Sequence, residues 1–305
     1  MIVTSPAEFL DAFATLTPRP EMAATARAAF LVAPAGFTLA AESARDNLYM
    51  DMNRAVDPLK ALAQHGALAQ ALRADVPVIT FPGDPATPDA VFPNNVFATA
   101  PGRLIVGRMR HAVRRRETER SDIRGFFGEV LGYDEIDLSG CEDLVAELTG
   151  ALVIDHARGV GYCGLSERCD MAGAEAMHKA FDLRLTYCFE LAASEYHTNV
   201  VLTLLADRAA IIAADGFRDP AAAQAIARAC GERAIWLTPA QKRAFAGNAI
   251  TLSDERVWMS AGAADSLTEA QRAALADYGF AIGTVDLSEI EKAGGSLRCC
   301  VGEIY

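Results

Sequence analysis

Short apolar runs alternate along the chain with amphipathic stretches whose apolar positions recur every three or four residues. The short runs are typical of strands, whereas the three- and four-residue spacing is typical of helices with one buried face. We predict strands over 29–32, 78–81, 104–107, 152–155, 160–163, 184–189, 200–204, 209–213, 234–237, 250–252, 257–259, 280–284 and 297–301. We predict helices over 54–73, 116–131, 171–181, 220–230 and 266–278. The pattern indicates a mixed α/β protein.

The order of these elements is more informative than their number. Two or three predicted strands usually separate one helix from the next. A doubly wound parallel sheet needs a strict alternation of one strand and one helix, so that fold is disfavoured. From residue 200 onward the order is strand, strand, helix, strand, and it repeats approximately over 250–284. We therefore expect a repeated ββαβ unit.

Residues 159–164 read GVGYCG and satisfy the GxGxxG pattern of a dinucleotide-binding loop. Such a loop has to open directly into a helix. Here Tyr162, Cys163 and Leu165 continue an apolar strand instead. A hairpin turn is the better interpretation, because Gly159 accepts the positive φ that a tight turn requires.

The length and net charge of the chain limit the kinds of molecule that it is expected to bind. The 305-residue chain has a formal net charge of −12 and contains no low-complexity tract or Pro/Ser-rich spacer, so we expect one domain. Nucleic-acid binding needs clustered Lys and Arg, and the acidic balance argues against it. We expect a small-molecule partner. The sequence leaves open whether the chain forms a homo-oligomer.

The N-terminal residues, MIVTSPAEFLDAF, lack the basic and then apolar pattern of a secretory signal. No run approaches the ~18 apolar residues of a membrane span, so we expect a cytoplasmic protein with no membrane association. The seven cysteines are odd in number and show no CxxC spacing. They indicate neither a disulfide framework nor a zinc site, and we expect no metal and no cofactor.

The segment 294–300 reads GGSLRCC and places two cysteines beside a cation, Arg298. A neighbouring positive charge lowers the pKa of a cysteine and increases the share of thiolate, which is the nucleophilic form. The alternative is a buried strand end, since free cysteine also packs as a small apolar residue. In an extended segment Cys299 and Cys300 point to opposite faces.

Three polar segments offer partners for a nucleophilic cysteine. The chain has only five histidines, and His197 lies within EYHTN, where an acid, a base and an amide precede an apolar strand. Glu147 begins ELTG, which also precedes a strand. The segment PDAVFPNN, residues 88–95, combines aromatic side chains with amides around proline. Ordinary turn and cap chemistry is the alternative for each segment.

Together these segments resemble the guanidine-modifying hydrolases and amidinotransferases, which include arginine deiminase, dimethylarginine dimethylaminohydrolase and the dihydrolases. The match runs in order from about Asp89 through the Asn95 loop, the basic segment up to Glu117, the Glu147 loop, GLSER at 164–168, the His197 loop and the terminal cysteine. The resemblance is closest to the citrulline hydrolase and arginine dihydrolase branches. It implies the pentein fold, a five-bladed, pseudo-fivefold α/β propeller of ββαβ units, as a single catalytic domain over 1–305.

The resemblance also implies roles for individual residues. Cys299 matches the nucleophile, His197 the acid/base, and Glu147 the carboxylate that orients the substrate and supports His197. Arg168 and Arg114 match positions that hold the α-carboxylate of an amino-acid substrate, because a planar guanidinium offers paired donors.

Three further positions bear on the substrate. Asp89 matches a position beside the amino-acid end of the site. Asn95 and Asn199 occupy positions at which similar arginine deiminases carry aspartates that clamp the cation. A carboxylate makes the stronger contact with a guanidinium, whereas an amide also has donors for a carbonyl oxygen. The two amides therefore favour a neutral ureido group.

The implied activity is hydrolysis at the guanidino or ureido carbon of arginine, citrulline or a close derivative. It passes through a covalent thiouronium-type intermediate and releases ammonia and an ornithine-like amine. Hydrolysis of dimethylarginine and amidino transfer are alternatives within the family. A binding module of the same fold is an alternative that the complete set of Cys299, His197 and Glu147 disfavours. A thiol peptidase is another, and it leaves the Arg168 and Arg114 match unexplained.

Overall fold

The computed structural model describes residues 1–305 and contains sixteen strands and eleven α-helices. The strands are β1 (Ile2–Val3), β2 (Ala28–Val32), β3 (Val78–Phe81), β4 (Phe97–Ala100), β5 (Arg103–Val106), β6 (Asp134–Asp137), β7 (Leu152–Asp155), β8 (Val160–Leu165), β9 (Leu185–Glu190), β10 (Leu202–Leu205), β11 (Ala209–Ile212), β12 (Ala234–Trp236), β13 (Ile250–Ser253), β14 (Arg256–Ser260), β15 (Ala281–Val285) and β16 (Gly302–Ile304). The α-helices are α1 (Pro6–Ala14), α2 (Pro58–Leu72), α3 (Ala112–Arg115), α4 (Ser121–Gly125), α5 (Leu148–Ala151), α6 (Met171–Ala180), α7 (Thr198–Val201), α8 (Pro220–Ala229), α9 (Pro239–Arg243), α10 (Ala261–Ser266) and α11 (Glu269–Asp277).

The strands form five mixed sheets, each built on a set of three strands. The orders are β1-β9-β8-β7, β10-β11-β12, β13-β14-β15, β16-β2-β3 and β4-β5-β6, with β1 added at the edge of the first sheet. In every set the middle strand pairs antiparallel with one neighbour and parallel with the other. The protein is therefore an α/β fold in which one strand arrangement recurs five times.

Helices connect the two parallel strands of each set, because parallel pairing requires a crossover connection. The connecting helices are α6 after β8, α8 after β11, α10 and α11 after β14, α2 after β2, and α3 and α4 after β5. The two ββαβ units predicted after residue 200 are confirmed as β10–β12 and β13–β15 with their helices. The hairpin predicted in place of a nucleotide loop is confirmed too, since β7 pairs antiparallel with β8 and Gly159 has φ 67°.

Local chemistry sets where two of the helices begin. The Asp57 carboxylate accepts hydrogen bonds from the backbone N–H groups at the start of α2, and Asp219 does the same for α8. Proline follows each aspartate, and its fixed φ suits the first helical position. The helix predicted from residue 54 therefore begins only at Pro58.

Several predicted elements are wrong in kind. Residues Arg298–Cys300 form a 3-10 turn, and β16 begins only at Gly302, so the strand predicted over 297–301 is absent. The run predicted as a strand over 200–204 begins with the last residues of α7. Both runs are buried, and apolar character alone does not separate a buried turn from a buried strand.

The helix predicted over 116–131 is broken into three segments. A 3-10 segment, Arg116–Glu119, ends at Arg120, whose ψ of 93° is extended. Helix α4 then passes into a π-helical turn, Phe126–Val130. The predicted helix over 266–278 begins at Glu269, after Thr268 caps it. Strands β4 and β6 were not predicted.

A short turn precedes the first strand of every three-strand set, and we call these five segments the pre-strand turns. They are Pro93–Asn95 before β4, α5 before β7, α7 before β10, the turn at 244–247 with the bend at Asn248 before β13, and Arg298–Cys300 before β16. Contacts join α5 to α7 and to the Pro93–Asn95 turn, and join that turn to Arg298–Cys300. The sheets thus bring the starts of their first strands together.

The apolar core lies between neighbouring sheets and their helices. Its largest cluster includes Phe9, which stacks on Tyr187 with ring centroids 4.6 Å apart. A second cluster contains Leu31, Leu68 and Cys300. The helices are all too short or too polar to span a bilayer.

Candidate active site

The pre-strand turns position the candidate residues close to one another. Glu147 and His197 each stand immediately before a four-residue helix, α5 and α7 respectively. Asn95 ends its 3-10 turn, and Cys299 is the middle residue of another. Asn199 lies within α7. The five side chains come from the pre-strand turns of four different sheets, with His197 and Asn199 from the same turn, which explains how residues up to 204 positions apart can meet.

A cavity of about 320 Å³ lies at this point, and we call it the Cys299 cavity. Six of the eight predicted site residues line it: Asp89, Asn95, Arg114, Arg168, His197 and Cys299. Glu147 is fully buried and contacts three of these six, and Asn199 contacts Cys299. The structure therefore brings all eight predicted residues together. Each is at most 4% exposed, so all eight side chains are buried.

Glu147 and His197 form a hydrogen-bonded pair at the centre of the site. His197 Nε2 lies 2.8 Å from Glu147 Oε2. Burial alone would raise the pKa of Glu147, but Arg168 and the hydrogen bond to His197 outweigh it and hold that pKa well below its ordinary range. An ionised carboxylate only accepts hydrogen bonds, so Nε2 carries the proton and Nδ1 has the free lone pair. Burial lowers the pKa of His197, which favours the neutral imidazole.

A glycine makes room for the His197 ring. A Cβ added to Gly150, within α5, would come within 2.7 Å of the imidazole. The ring therefore packs directly on the α5 backbone. The ELTG segment therefore contributes both the Glu147 carboxylate and a glycine that leaves space for the His197 ring.

The thiol of Cys299 is buried and hydrogen-bonded by amides. Asn248 Nδ2 lies 3.3 Å from Sγ, and Asn248 Oδ1 accepts from the Cys299 backbone N–H at 3.3 Å. Asn199 Oδ1 lies 3.7 Å from the same sulfur. Burial raises the pKa of the Cys299 thiol, and the hydrogen bond from Asn248 opposes that rise. Asn248 thus holds the cysteine at both its backbone and its sulfur.

Sequence reasoning missed Asn248, although a usable signal was present. The other four pre-strand turns each carry a predicted site residue, and Asn248 lies in the fifth, two residues before β13. Its FAGNA context contains no acid, base or nucleophile. Only the repeat of the ββαβ unit could have pointed to it.

Arg298 does not act as the sequence suggested. Its guanidinium pairs with Glu303 at 2.7 Å and donates to the Val301 carbonyl. It lines a different cavity of about 510 Å³, whose walls also include His156 and Tyr305 and which we call the second cavity. The Arg298 charge is therefore balanced on the side away from the Cys299 cavity, and it is a minor influence on the pKa of the thiol. Cys300 is fully buried in the apolar core.

The two arginines predicted to hold a ligand carboxylate are already engaged by the protein. Arg168 donates from Nε and Nη2 to Asp46, and from Nη1 to Glu147 at 3.2 Å. Arg114 donates from Nε and Nη2 to Glu117 at 2.5 and 2.8 Å. All three nitrogens of Arg168 are engaged, whereas Arg114 Nη1 has no partner within the protein.

The polar rim of the cavity has a fixed orientation. Arg114 Nη2 donates to Asn95 Oδ1 at 2.9 Å, and the Asn95 amide nitrogen lies 3.5 Å from Glu147 Oε2, to which it donates. Ser43 donates to Asp89 Oδ2 at 2.5 Å, while Asp89 Oδ1 has no hydrogen-bond partner. Burial raises the pKa of Asp89. The rim therefore offers one amide donor and one unpartnered carboxyl oxygen. No group of three or more His, Cys, Asp or Glu side chains is arranged to hold a metal ion.

A family model described as N,N dimethylarginine dimethylhydrolase, eukaryotic, matches residues 33–305. This match includes every candidate residue above. The chain belongs to the N,N-dimethylarginine dimethylhydrolase family. Members of this family are hydrolases that act on carbon–nitrogen bonds of arginine-like guanidino groups, and this chain is such a hydrolase.

A curated relative and several solved structures resemble this chain in sequence or in fold. An uncharacterized protein of Caenorhabditis elegans, ZK1307.1, is 24% identical over 258 residues, which are 82% of this chain and 85% of that protein. ArgZ, described as an arginine dihydrolase from the ornithine-ammonia cycle in cyanobacteria, superposes with a TM-score of 0.79 at 20% identity. The match covers 91% of this chain but only 40% of the ArgZ chain.

A second similar structure bears the name of the family. The dimethylarginine hydrolase (DDAH) of Pseudomonas aeruginosa, solved as a mutant in complex with citrulline, superposes with a TM-score of 0.70 at 23% identity. That match covers 92% of this chain and 99% of the other. At these identities the structural likeness shows a shared α/β fold. The family assignment rests on the sequence model.

Proposed function

We propose that this chain hydrolyses the guanidino or ureido carbon of arginine, citrulline or a close derivative through a covalent intermediate on Cys299. The observation that carries the proposal is the Cys299 cavity itself. A buried thiol, Cys299, and a histidine, His197, both line this cavity. Glu147 Oε2 lies 2.8 Å from His197 Nε2 and sets the tautomer of the ring. A cavity lined by this thiol and this histidine, with Glu147 directly behind the histidine, suits nucleophilic catalysis on a small polar ligand.

The covalent route addresses a specific chemical difficulty. A guanidinium carbon is stabilised by resonance, and a thiolate that attacks it divides one high barrier into two lower ones. His197 Nδ1 takes the thiol proton of Cys299 as Sγ forms a bond to that carbon, and the C–N bond to the departing amine or ammonia breaks as that group takes the proton from Nδ1. His197 then removes a proton from water, which attacks the same carbon and breaks the bond to sulfur. Glu147 stabilises the imidazolium and accepts N–H bonds that position the planar group.

The orientation of Asn95 supports a ureido group at the reacting end. Because Arg114 fixes Asn95 Oδ1, the amide offers N–H donors, which suit a carbonyl oxygen and not a guanidinium. Two versions of the reaction follow. The enzyme acts once on a citrulline-like ureido compound, or it acts twice on arginine and releases ammonia, carbon dioxide and an ornithine-like amine. ArgZ, the similar structure described as an arginine dihydrolase, supports the second version.

The arrangement of the five sheets supports the rest of the resemblance. We propose that the five three-strand sets are the blades of a pseudo-fivefold propeller, with the pre-strand turns around its axis. Strand β10 contacts both β7 and β13, and β4 contacts β16, as neighbouring blades require. Residues 1–305 then form one catalytic domain.

A second candidate is hydrolysis of dimethylarginine to citrulline and dimethylamine, which the description of the matching family favours. It uses the same attack by Cys299 but a different leaving group. Asn95 and Asn199, with no negative charge, fit a cationic methylated guanidine less well than carboxylates would.

A substrate panel tests the proposal. The purified protein is incubated with arginine, citrulline, dimethylarginine and agmatine, and the ammonia and amine products are counted. Two ammonia molecules per ornithine from arginine indicate the dihydrolase, and activity on citrulline alone indicates the ureido hydrolase. Release of dimethylamine indicates the second candidate. Absence of turnover on all four, with no effect of Cys299→Ala, would overturn the enzymatic proposal.

A further inference from the structure

Glu195 is a buried carboxylate that does not line the Cys299 cavity. Its Oε1 accepts hydrogen bonds from Lys242 Nζ at 2.6 Å and from Ser194 Oγ at 2.9 Å. Its Oε2 accepts a hydrogen bond from the Tyr49 hydroxyl at 2.7 Å. A buried charge is costly unless it is paired and hydrogen-bonded, and both oxygens of Glu195 meet that condition. The hydrolytic steps assign no role to this carboxylate.

The bond to Lys242 joins the His197 loop to the turn that carries Asn248. Glu195 precedes His197 by two residues. Lys242 lies in α9, and the turn that follows α9 places Asn248 Nδ2 3.3 Å from Cys299 Sγ. The ion pair therefore links the loop that supplies the base to the turn that supplies the hydrogen-bond donor of the thiol.

The bond to Tyr49 joins the same loop to a third part of the cavity wall. Tyr49 ends the segment 43–49, whose Ser43 and Asn47 side chains line the Cys299 cavity. Asn47 Oδ1 accepts a hydrogen bond from the Tyr49 backbone N–H at 3.1 Å, so a displacement of the tyrosine would also displace Asn47. The hydroxyl bond therefore holds this segment against the His197 loop.

Aromatic packing runs beside these hydrogen bonds. The Tyr49 ring lies 5.1 Å from that of Phe245 and 6.0 Å from that of Tyr196, between ring centroids. Tyr196 packs in turn on the His197 imidazole at 4.6 Å. Phe245 has a φ of 60°, which residues with a Cβ seldom adopt, so its turn depends on surrounding contacts to hold it. The rings supply apolar contact, and the Glu195 carboxylate supplies directional bonds.

We propose that Glu195 is a positioning residue for the hydrolysis. By binding the lysine and the tyrosine at once, it keeps His197 aligned with the Asn248 turn and with the segment 43–49. The inference rests on the proposed function, because the aligned groups are those that carry out hydrolysis. The alternative is a carboxylate that only stabilises the fold, although the desolvation of a buried ion pair can offset its attraction. A residue that only stabilises changes activity through the folded fraction alone.

A pair of variants separates positioning from stability. Glu195→Gln leaves Lys242 with Asp215, at 2.9 Å, and should lower both the thermal midpoint and kcat for arginine and citrulline. Adding Lys242→Met removes the buried cation, so the midpoint should recover, because apolar replacement of a buried ion pair is often neutral. The link to the Asn248 turn is still absent, so kcat should stay about tenfold or more below that of the unaltered protein. Arg243→Met, at the exposed neighbour, should leave kcat within about twofold. Recovery of kcat together with the midpoint would overturn the proposal.

Alkylation of Cys299 by iodoacetamide reads the alignment without turnover. Asn248 opposes the rise in the pKa of the thiol, so displacement of its turn in the double variant should move the pH profile upward, by up to about one unit. Mass spectrometry of the Cys299 peptide follows the reaction, and Arg243→Met should leave the profile in place. An unmoved profile in the folded double variant would overturn the proposal. A shift in a protein that turns over no compound of the substrate panel would support the alignment and count against the proposed function alone.

Tyr49→Phe tests the second bond and decides the question if the charge variants fail to fold. It removes one hydroxyl and keeps the ring, so a ligand must then order the segment 43–49 on binding. KM should rise about three- to tenfold while kcat stays within about twofold. Tyr133→Phe, which loses a hydroxyl bond to the Tyr305 carbonyl, is the matched control and should leave both constants unchanged. A KM unchanged within about twofold in Tyr49→Phe would contradict the proposed link.

Discussion

Asn199 lines the second cavity and contacts Cys299, which lines the first. Each cavity has a histidine in its wall, with a glutamate either in the wall, as Glu303 is, or directly behind it, as Glu147 is. In the Cys299 cavity, His197 is hydrogen-bonded to an ionised Glu147. In the second cavity, His156 stacks on Tyr305 with ring centroids 3.8 Å apart, and burial lowers its pKa to about 4. The second cavity is the larger of the two but has no cysteine in its wall. The groups that contact a histidine therefore decide whether it can act in catalysis. Its burial and the volume of the neighbouring cavity do not.

We expect the largest difference in kcat between variants of two neighbouring residues, Cys299 and Arg298, which line different cavities. Cys299→Ala should lower kcat by at least about four orders of magnitude, because no other group can form the covalent intermediate. Arg298→Lys keeps the ion pair with Glu303 and should retain kcat within a few-fold. Steady-state ammonia release measures both. Comparable losses in the two variants would contradict the assignment of the two cavities.

A glutamate in each cavity provides the next test. Glu147→Gln keeps the shape of the side chain but removes the charge that sets the His197 tautomer and balances Arg168. We expect kcat/KM to fall about 10²- to 10⁴-fold, the range for loss of general acid–base function. Glu303→Gln, which also loses an arginine partner, should change kcat/KM only a few-fold. The Glu147 assignment fails if the two glutamates prove equally important.

Asn95→Asp tests whether the rim selects the reacting group. The new carboxylate would face a guanidinium favourably and would lose the N–H donors that suit a carbonyl oxygen. We expect the ratio of kcat/KM for arginine over citrulline to rise about tenfold. Asn94→Asp, at the neighbouring buried amide, is the matched control and should shift the ratio less. An unaltered ratio would show that the amides do not set the substrate preference.

Asn248→Ala should change the ionisation of the nucleophile. Burial already raises the pKa of the Cys299 thiol, and removal of the Asn248 hydrogen bond should raise it further, by about one pH unit. The pH profile of iodoacetamide alkylation measures this shift, which a purely structural role would not produce. Asn53→Ala, on the surface, should leave the profile in place.

The smallest catalytic effect is expected for His156→Phe, which preserves stacking on Tyr305. Turnover should stay within about twofold of the unaltered protein. The pKa of His156 is about 4 in the folded state, and the ordinary value is about 6.5, so the unfolded state binds more protons between these pH values. The stability contribution of neutral His156 is therefore present above pH ~6.5 and is lost as the pH falls toward ~4. The urea midpoint of His156→Phe should depend less on pH across this window.

Sequence patterns predicted much of the sheet structure because the strands are short, buried and apolar. The matches include 78–81 and 152–155 with unchanged bounds. The pre-strand turns at 198–201 and 298–300 were missed because their apolar residues are as buried as those of the strands they precede. Their conformation is fixed by contacts among five sheets, which local spacing does not encode.

The predicted site shows the same division between local and long-range information. The eight residues taken from the resemblance all meet at one cavity or its wall. The engagement of Arg168 by Asp46 was not predictable, because the two residues are 122 positions apart and no local pattern joins them. The orientation of the Arg298 side chain was not predicted either, because residues 298–300 form a 3-10 turn where a strand was predicted.

The pairing of β16 with β2 joins residues 302–304 to residues 28–30. Contacts between such distant parts of a chain are slow to form, so this sheet closes late in folding. Cys299 lies just ahead of that closing strand, and its neighbours Asn199 and Asn248 belong to sheets that can assemble without it. Detachment of a three-residue strand would then inactivate the enzyme while most of its sheets remained intact. Catalytic activity should therefore report the pairing of β16 with β2 more sensitively than spectroscopic signals that average over all sixteen strands.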